Sequence, residues 1–298
     1  MNIRKLRNND EEKLEHFLSS YAETSMFLRS NMKRAGLEYQ CKDYHGDYFG
    51  AFDENGDVIG ILAHYYNGNI MMQALDIDIL TGLVHAFKEA VTRPIAGILG
   101  ADEQAKTVID ELPLPDEVFA TNRSEDLFAL NLNKLSLPGR FDFSKADMVD
   151  ACKVDRTILT QWIKAYEIEA LSSEDNEALR EHVERRVNRI INGMDCWVLQ
   201  IDGEAVSLSG FNAKLPDLVQ IGPVWTPPEH RNQGYARALV AMTLKKAKEG
   251  GVDRAILFTD NPAASKAYEA IGFRKTALYR LALLNKPIDL KERLVLTV

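Results

Sequence analysis

Two adjacent prolines, Pro227 and Pro228, stop an apolar run, and shortly afterwards Gly234 opens a helical pattern. No other stretch narrows the possible folds as much. Val219 to Trp225 reads as a strand that the prolines cannot continue. Past the loop, Ala236, Leu239, Val240, Thr243, Leu244 and Ala247 recur at i, i+3, i+4 spacing, which predicts a helix buried on one face. Gly250-Gly251 ends it, and Lys245, Lys246 and Lys248 fall in its last turns, where positive charge suits the helix dipole. A strand, a glycine loop and a helix in that order leave several backbone N–H groups converging on one spot, which favours an anion. Gly234 permits positive φ or close approach of a phosphate, Ala236 keeps the first turn thin, and Arg231 can add a charge-assisted contact. A single charge–dipole contact is worth about 0.3–1 kcal/mol, so useful affinity needs several amides together.

The loop is not that of a nucleoside-triphosphate site, because no Gly-Lys-Ser/Thr comes after it, and the chain has no Gly-x-Gly-x-x-Gly. An ordinary strand–loop–helix with a surface arginine is the plainer alternative. The residues beyond the helix argue against it. Gly251 to Thr259 reads as a second strand, Asn261 caps a short helix with Pro262 at its first position, and Gly272 closes that helix. The runs IGPVWTPPEHRNQGYA (221–236), LFTDNP (257–262) and YEAIGF (268–273) together resemble the GNAT superfamily of CoA-dependent N-acetyltransferases. The likeness is to its bacterial branch near the FR47-like, glycine acyltransferase-like group, and covers about a third of the chain.

The second half repeats the element order of the first, though with little identity. In the first half, a strand at 3–6 precedes helices from about Asp10 and over 23–34. A hairpin at 48–63, a strand at 70–74 and a helical face of Ile79, Leu83, Ala86, Phe87 and Ala90 come next. A strand at 94–99, a helix at 101–112 and a closing strand at 127–132 complete it. In the second half, a strand at 148–154 leads to a helix capped by Asp155, a helix over 174–191 and a hairpin at 196–209. Thr276 to Leu284 then parallels Asp126 to Lys134, and the tail from Asn285 to Val298 is expected on the surface or as an edge strand. With a linker near Leu137 to Arg140, the expected domains are 1–137 and 141–298. The fold class is α/β (α+β), tandem GNAT-like acyl-CoA N-acyltransferase domains with a mixed central sheet flanked by helices.

The copies differ at the loop. In the first half, Leu75-Asp76-Ile77-Asp78 has no glycine and places two carboxylates where a pyrophosphate would sit, and Val108 stands at the position of Tyr268. The first half therefore reads as a degenerate copy without a cofactor site; an unrelated α+β domain is the alternative.

A chain of 298 residues with 46% apolar content supplies two cores, and a net charge of −8 opposes nucleic acid or an anionic membrane as partner. Cys41, Cys152 and Cys196 have no metal-ligand spacing, so no metal is expected and a reducing compartment is. With no signal-like or membrane-length apolar run, the expectation is a cytoplasmic monomer or homodimer acting on a small-molecule or peptide amine.

The resemblance implies acetyl-CoA as co-substrate. It places the pantetheine arm against the backbone of Val224, Trp225 and Thr226, and the pyrophosphate on the amides of Arg231, Asn232, Gln233, Gly234, Tyr235 and Ala236. Asn261 matches a residue that bonds the arm, with helix capping as its plainer role. Tyr268 matches the tyrosine that protonates the leaving thiolate, with a core tyrosine as the alternative. Glu229 and His230 fall in the loop and read as rim residues. Many family members carry a glutamate where Gln220 stands, and an amide cannot take a proton at neutral pH. Glu169, Asp260 or a water chain remain open as general base. A non-catalytic acyl-CoA-binding protein and a longer-chain acyltransferase are the alternative functions.

Overall fold

The structure, a computed structural model, describes residues 1–171 and 173–291. Its contacts divide the chain into two compact units. One is Met1–Leu127 together with the chain from Ala277; the other is Phe128–Thr276.

The first unit runs β1 (Asn2–Lys5), α1 (Glu11–Ser19), α2 (Met26–Ala35), β2 (Gly46–Phe52), β3 (Val58–Tyr65), β4 (Asn69–Ala74), α3 (Ile77–Ala90), β5 (Ile95–Ala101) and α4 (Asp102–Glu111). Strand β6 (Phe119–Asn131) begins in this unit and ends in the other. The second unit continues with β7 (Ala146–Asp150), α5 (Arg156–Leu171), α6 (Glu177–Ile191), β8 (Cys196–Ile201), β9 (Glu204–Lys214), β10 (Leu218–Trp225), α7 (Tyr235–Glu249), β11 (Arg254–Thr259) and α8 (Pro262–Glu269). Strand β12 (Arg274–Ile288) ends the order. Every element from β1 to α4 has its counterpart, in the same sequence, from β7 to α8.

The strands show why the halves are not independent in sequence. In the first unit the order is β1-β2-β3-β4-β5-β12, and in the second β7-β8-β9-β10-β11-β6. Each half sends its last strand into the other unit's sheet. Tyr279 to Leu283 of β12 pair antiparallel with Gly97 to Ala101 of β5. The compact units therefore break near 127 and 276, not at the linker expected around 137–141. The expected surface tail begins as part of this paired strand, up to Ile288 opposite Ile95; residues 292–298 lie outside those described.

Each sheet buries both faces under helices, so its strands read as near-continuous apolar runs. In the first unit Leu80, Leu83, Val84 and Phe87 of α3 pack on Ile70, Ile95 and Ile98. Leu14, Leu18 and Leu28 of α1 and α2 cover Tyr48, Ile61 and Ala63 on the other face. In the second, Leu239, Val240 and Leu244 of α7 meet Val219, Ile221 and Leu257. Leu159, Ile163, Val183 and Val187 of α5 and α6 lie against Val198 and Leu208.

Candidate active site

Both units contain one parallel pair of strands, and the two pairs end differently. In the second unit β10 pairs with β11 over Leu218–Gln220 against Arg254–Ile256. Beyond Gln220, β10 shifts register on β9 twice, between Gln220 and Ile221 and again before Val224. Such bulges bend a strand and re-aim it. Among the described residues Ile221 to Trp225 have no β11 partner, so this edge of β10 stays open toward β11. Gly222 makes the bend possible: a Cβ there would stand 2.2 Å from Asn212 Nδ2.

In the first unit β4 pairs with β5 over Asn69–Met71 against Gly97–Leu99, and the edge beyond is closed by the chain itself. The Ala74 amide donates to Gln104 Oε1 at 2.9 Å, and Gln104 Nε2 donates to the Ala74 carbonyl at 3.0 Å. A side-chain amide thus occupies both hydrogen-bonding groups that an external amide would need. Asp76 also caps α3, accepting from the Ile79 amide at 2.9 Å, so the protein's own carboxylate sits at that helix N-terminus.

Helix α7 has no such cap. Gly234 precedes it in the left-handed region (φ 81°, ψ 6°) with no side-chain bond to the first amides. The N–H groups of Tyr235, Ala236 and Arg237 have no carbonyl to reach within the helix. They border a cavity of about 510 Å3. Its wall includes Val224, Trp225 and Thr226 from the open strand, Arg231, Asn232, Gly234, Tyr235 and Ala236 from the loop and first turn, and Asn261 and Tyr268 from α8. One cavity therefore gathers the residues that the sequence resemblance assigned to the cofactor and to the thiolate, except Gln233, whose Oε1 accepts from the Tyr235 hydroxyl at 2.8 Å; Gln220, Glu229 and Asp260 do not line it.

Individual side chains refine those expectations. Arg231 is committed within the protein: its Nε donates to the Thr226 carbonyl at 3.0 Å, its Nη2 lies 2.9 Å from Glu169 Oε2, and its guanidinium stacks 5.0 Å from the Trp225 ring. Ser207 Oγ donates to the Trp225 carbonyl at 3.1 Å and lies 2.9 Å from Thr226 Oγ1, fixing the end of β10. Asn261 does cap α8, accepting from the amides of Ala263 (2.9 Å) and Ala264 (3.3 Å). Asn261 also lines the cavity.

Tyr268 packs in the core and also lines the cavity. Its ring packs in the core near Phe273, and burial, with Tyr166 nearby, holds its hydroxyl well above the usual tyrosine range. It lines the cavity with no hydrogen-bond partner for its hydroxyl among the described residues. Such a group stays protonated and can donate. Glu169 also lines the cavity, paired to Arg231, and His230 lies 3.5 Å from Glu204. Gln220 is buried, and its Nε2 donates to the Ile221 carbonyl at 2.7 Å.

Two cations on the wall escaped the sequence reading. Arg237 in the first turn of α7 and Lys266 on α8 line the cavity and form no ion pair among the described residues. Arg237 Nη2 lies 3.6 Å from where a Cβ on Gly234 would be. Its place directly after the glycine loop was the available signal.

An α/β unit whose parallel strands part beside an uncapped, glycine-preceded helix belongs to the acyl-CoA N-acyltransferase fold class. Residues 158–273 match the model of the acetyltransferase (GNAT) family. Over 104 residues the chain is 31% identical to N-acetyltransferase family 8 member 2 of Rattus norvegicus, a match covering 32% of this chain and 45% of that protein. The chain thus spans less than half the length of that curated relative. Among solved structures, a Drosophila protein aligns over 95% of this chain and 98% of its own, with 10% identity and a TM-score of 0.63. A tandem GNAT protein from the clavulanic acid biosynthesis pathway aligns over 97% and 99%, with 12% identity and a TM-score of 0.55. A GCN5-related N-acetyltransferase from Kribbella flavida covers 76% and 87%, at 14% and 0.53. At these identities the likenesses show the fold, and the first two extend it over nearly the whole chain. Among the described residues no helix is long and apolar enough to cross a membrane.

Proposed function

We propose that the second unit binds acetyl-CoA in this cavity and transfers its acetyl group to an amine by direct attack. The observation that carries the reading is one cavity joining three features: the uncapped N-terminus of α7, the open edge of β10 and the Tyr268 hydroxyl. The pyrophosphate meets the amides after Gly234, with Arg237 as an added cation. The pantetheine amides pair with the free edge around Val224 to Thr226, where a backbone N–H polarises the thioester carbonyl as negative charge grows on its oxygen. The neutral amine attacks the carbonyl carbon, the C–S bond breaks, Tyr268 gives its proton to the departing thiolate, and the proton the nitrogen sheds as the amide forms passes through water, which reprotonates Tyr268.

The contrast between the units supports one cofactor per chain. In the first unit Gln104 fills the edge of β4, and Asp76 holds the N-terminus of α3. Gln220 in place of a carboxylate favours acceptors with weakly basic amines. Incubation with acetyl-CoA and a panel of amines, monitoring release of free CoA thiol, tests the reading. Thiol release that depends on an amine is the expected result. Tight CoA binding without turnover would make the chain a binding protein instead.

A further inference from the structure

A cavity that takes a cofactor with several negative charges should not hold a carboxylate, yet Glu169 lines this one. Among its described lining residues Glu169 is the sole acid, beside Arg231, Arg237 and Lys266. It comes from α5, far from the loop in sequence, and its Oε2 lies 2.9 Å from Arg231 Nη2. Neither partner is locked in place by burial: the Arg231 side chain is 36% exposed and that of Glu169 55%. An exposed pair of this kind is weak and exchanges readily for a stronger anion. Arg231 keeps its other anchors, the Thr226 carbonyl and the Trp225 ring, so the guanidinium can change partner without leaving the loop.

The geometry points to Glu169 as an internal stand-in for the cofactor's pyrophosphate, holding Arg231 until the diphosphate displaces it. This rests on the acetyl-CoA reading of the cavity. Glu169 sits about one turn from Tyr166 on α5. Glu169 is a positioning residue in this role, and its pairing with Arg231 removes it from the candidates for general base until cofactor is bound.

The test is a double-mutant cycle on the full chain, with Kd for CoA measured by calorimetry. Glu169→Gln should bind CoA about two- to fivefold more tightly, the range a half-exposed ion pair supports. In an Arg231→Gln background the same change should have no effect, because nothing remains to release. Unchanged or weaker binding by Glu169→Gln overturns the proposal. So does equal tightening in both backgrounds, which would mean only that a negative charge had left the cavity. Inorganic pyrophosphate serves as a second probe. If CoA does not bind but pyrophosphate binding obeys the predicted cycle, the exchange stands and the cofactor reading falls. If neither ligand binds the folded protein, both fall.

Discussion

Replacing Gly234 with aspartate tests the anion site at its most exposed point. The structure gives the substitution room: the new Cβ meets only Arg237 Nη2, at 3.6 Å. The backbone there is left-handed (φ 81°), which costs an L-residue about 1–2 kcal/mol, aspartate being one of those that tolerate it best. The folded state should survive. The ligand should not: a carboxylate about 5 Å from a diphosphate costs about 3 kcal/mol per charge at an effective dielectric of about 20. That corresponds to at least about a hundredfold rise in Kd for acetyl-CoA. Gly234→Ala carries the backbone strain without the charge and should lose much less. Calorimetry on both variants, with circular dichroism to establish folding, makes the comparison. A folded Gly234→Asp protein with wild-type affinity would refute the placement of the pyrophosphate.

Three other outcomes are expected from the geometry. Tyr268→Phe should lower kcat about a hundredfold while leaving Kd for acetyl-CoA nearly unchanged, since the ring still fills the core and only proton donation is lost; normal kcat with reduced stability would make it a packing residue. Acceptors with α-amines should be preferred over lysine side chains, because freeing a lysine amine (pKa about 10.4) at pH 7 costs roughly 4–5 kcal/mol against about 1–1.5 for an α-amine near 7.7–8.0; a strong preference for lysine side chains in competition assays would count against the role given to Gln220. In the first unit, burial and the neighbouring Arg93 push His64 down to about 4, so it is neutral when folded and its ring N–H donates to the Pro94 carbonyl. The unfolded chain takes up that proton below about pH 6.5, so stability should fall by up to about 3 kcal/mol between pH 6.5 and 4. Denaturant melts of His64→Phe should show a shallower acid slope, and an unchanged slope would place the effect elsewhere.

What could be read in the sequence was what depends on local chemistry. The prolines, Gly234 and the i, i+3, i+4 pattern of α7 define a strand, loop and helix without help from the rest of the chain, and a cavity lies beside that helix N-terminus. The exchange of β6 and β12 depends on which strand edges meet, and no periodicity within either strand encodes that choice. The first part of β6, Phe119 to Asp126, was missed because its half-buried residues include Arg123, Ser124, Glu125 and Asp126. Helix α5 extends beyond Trp162 to Leu171 because Glu167, charged yet buried, is satisfied by Arg186 and His182, partners remote in sequence. The Glu169–Arg231 pair was hidden for the same reason. A break in the chain near Pro138 would also leave β12 attached to the wrong fragment, so the units are better compared in the intact protein.

A single cofactor held by the second unit is the proposal on which the others depend, and determining the structure of the full chain with saturating acetyl-CoA tests it without intermediaries. One molecule per chain is expected, its pyrophosphate on the amides of Tyr235, Ala236 and Arg237. Its pantetheine arm should lie along β10 beyond Gln220, with the sulfur within hydrogen-bond reach of the Tyr268 hydroxyl. Cofactor lying along β4 with Gln104 displaced, or an occupied second unit with its sulfur far from Tyr268, would contradict it.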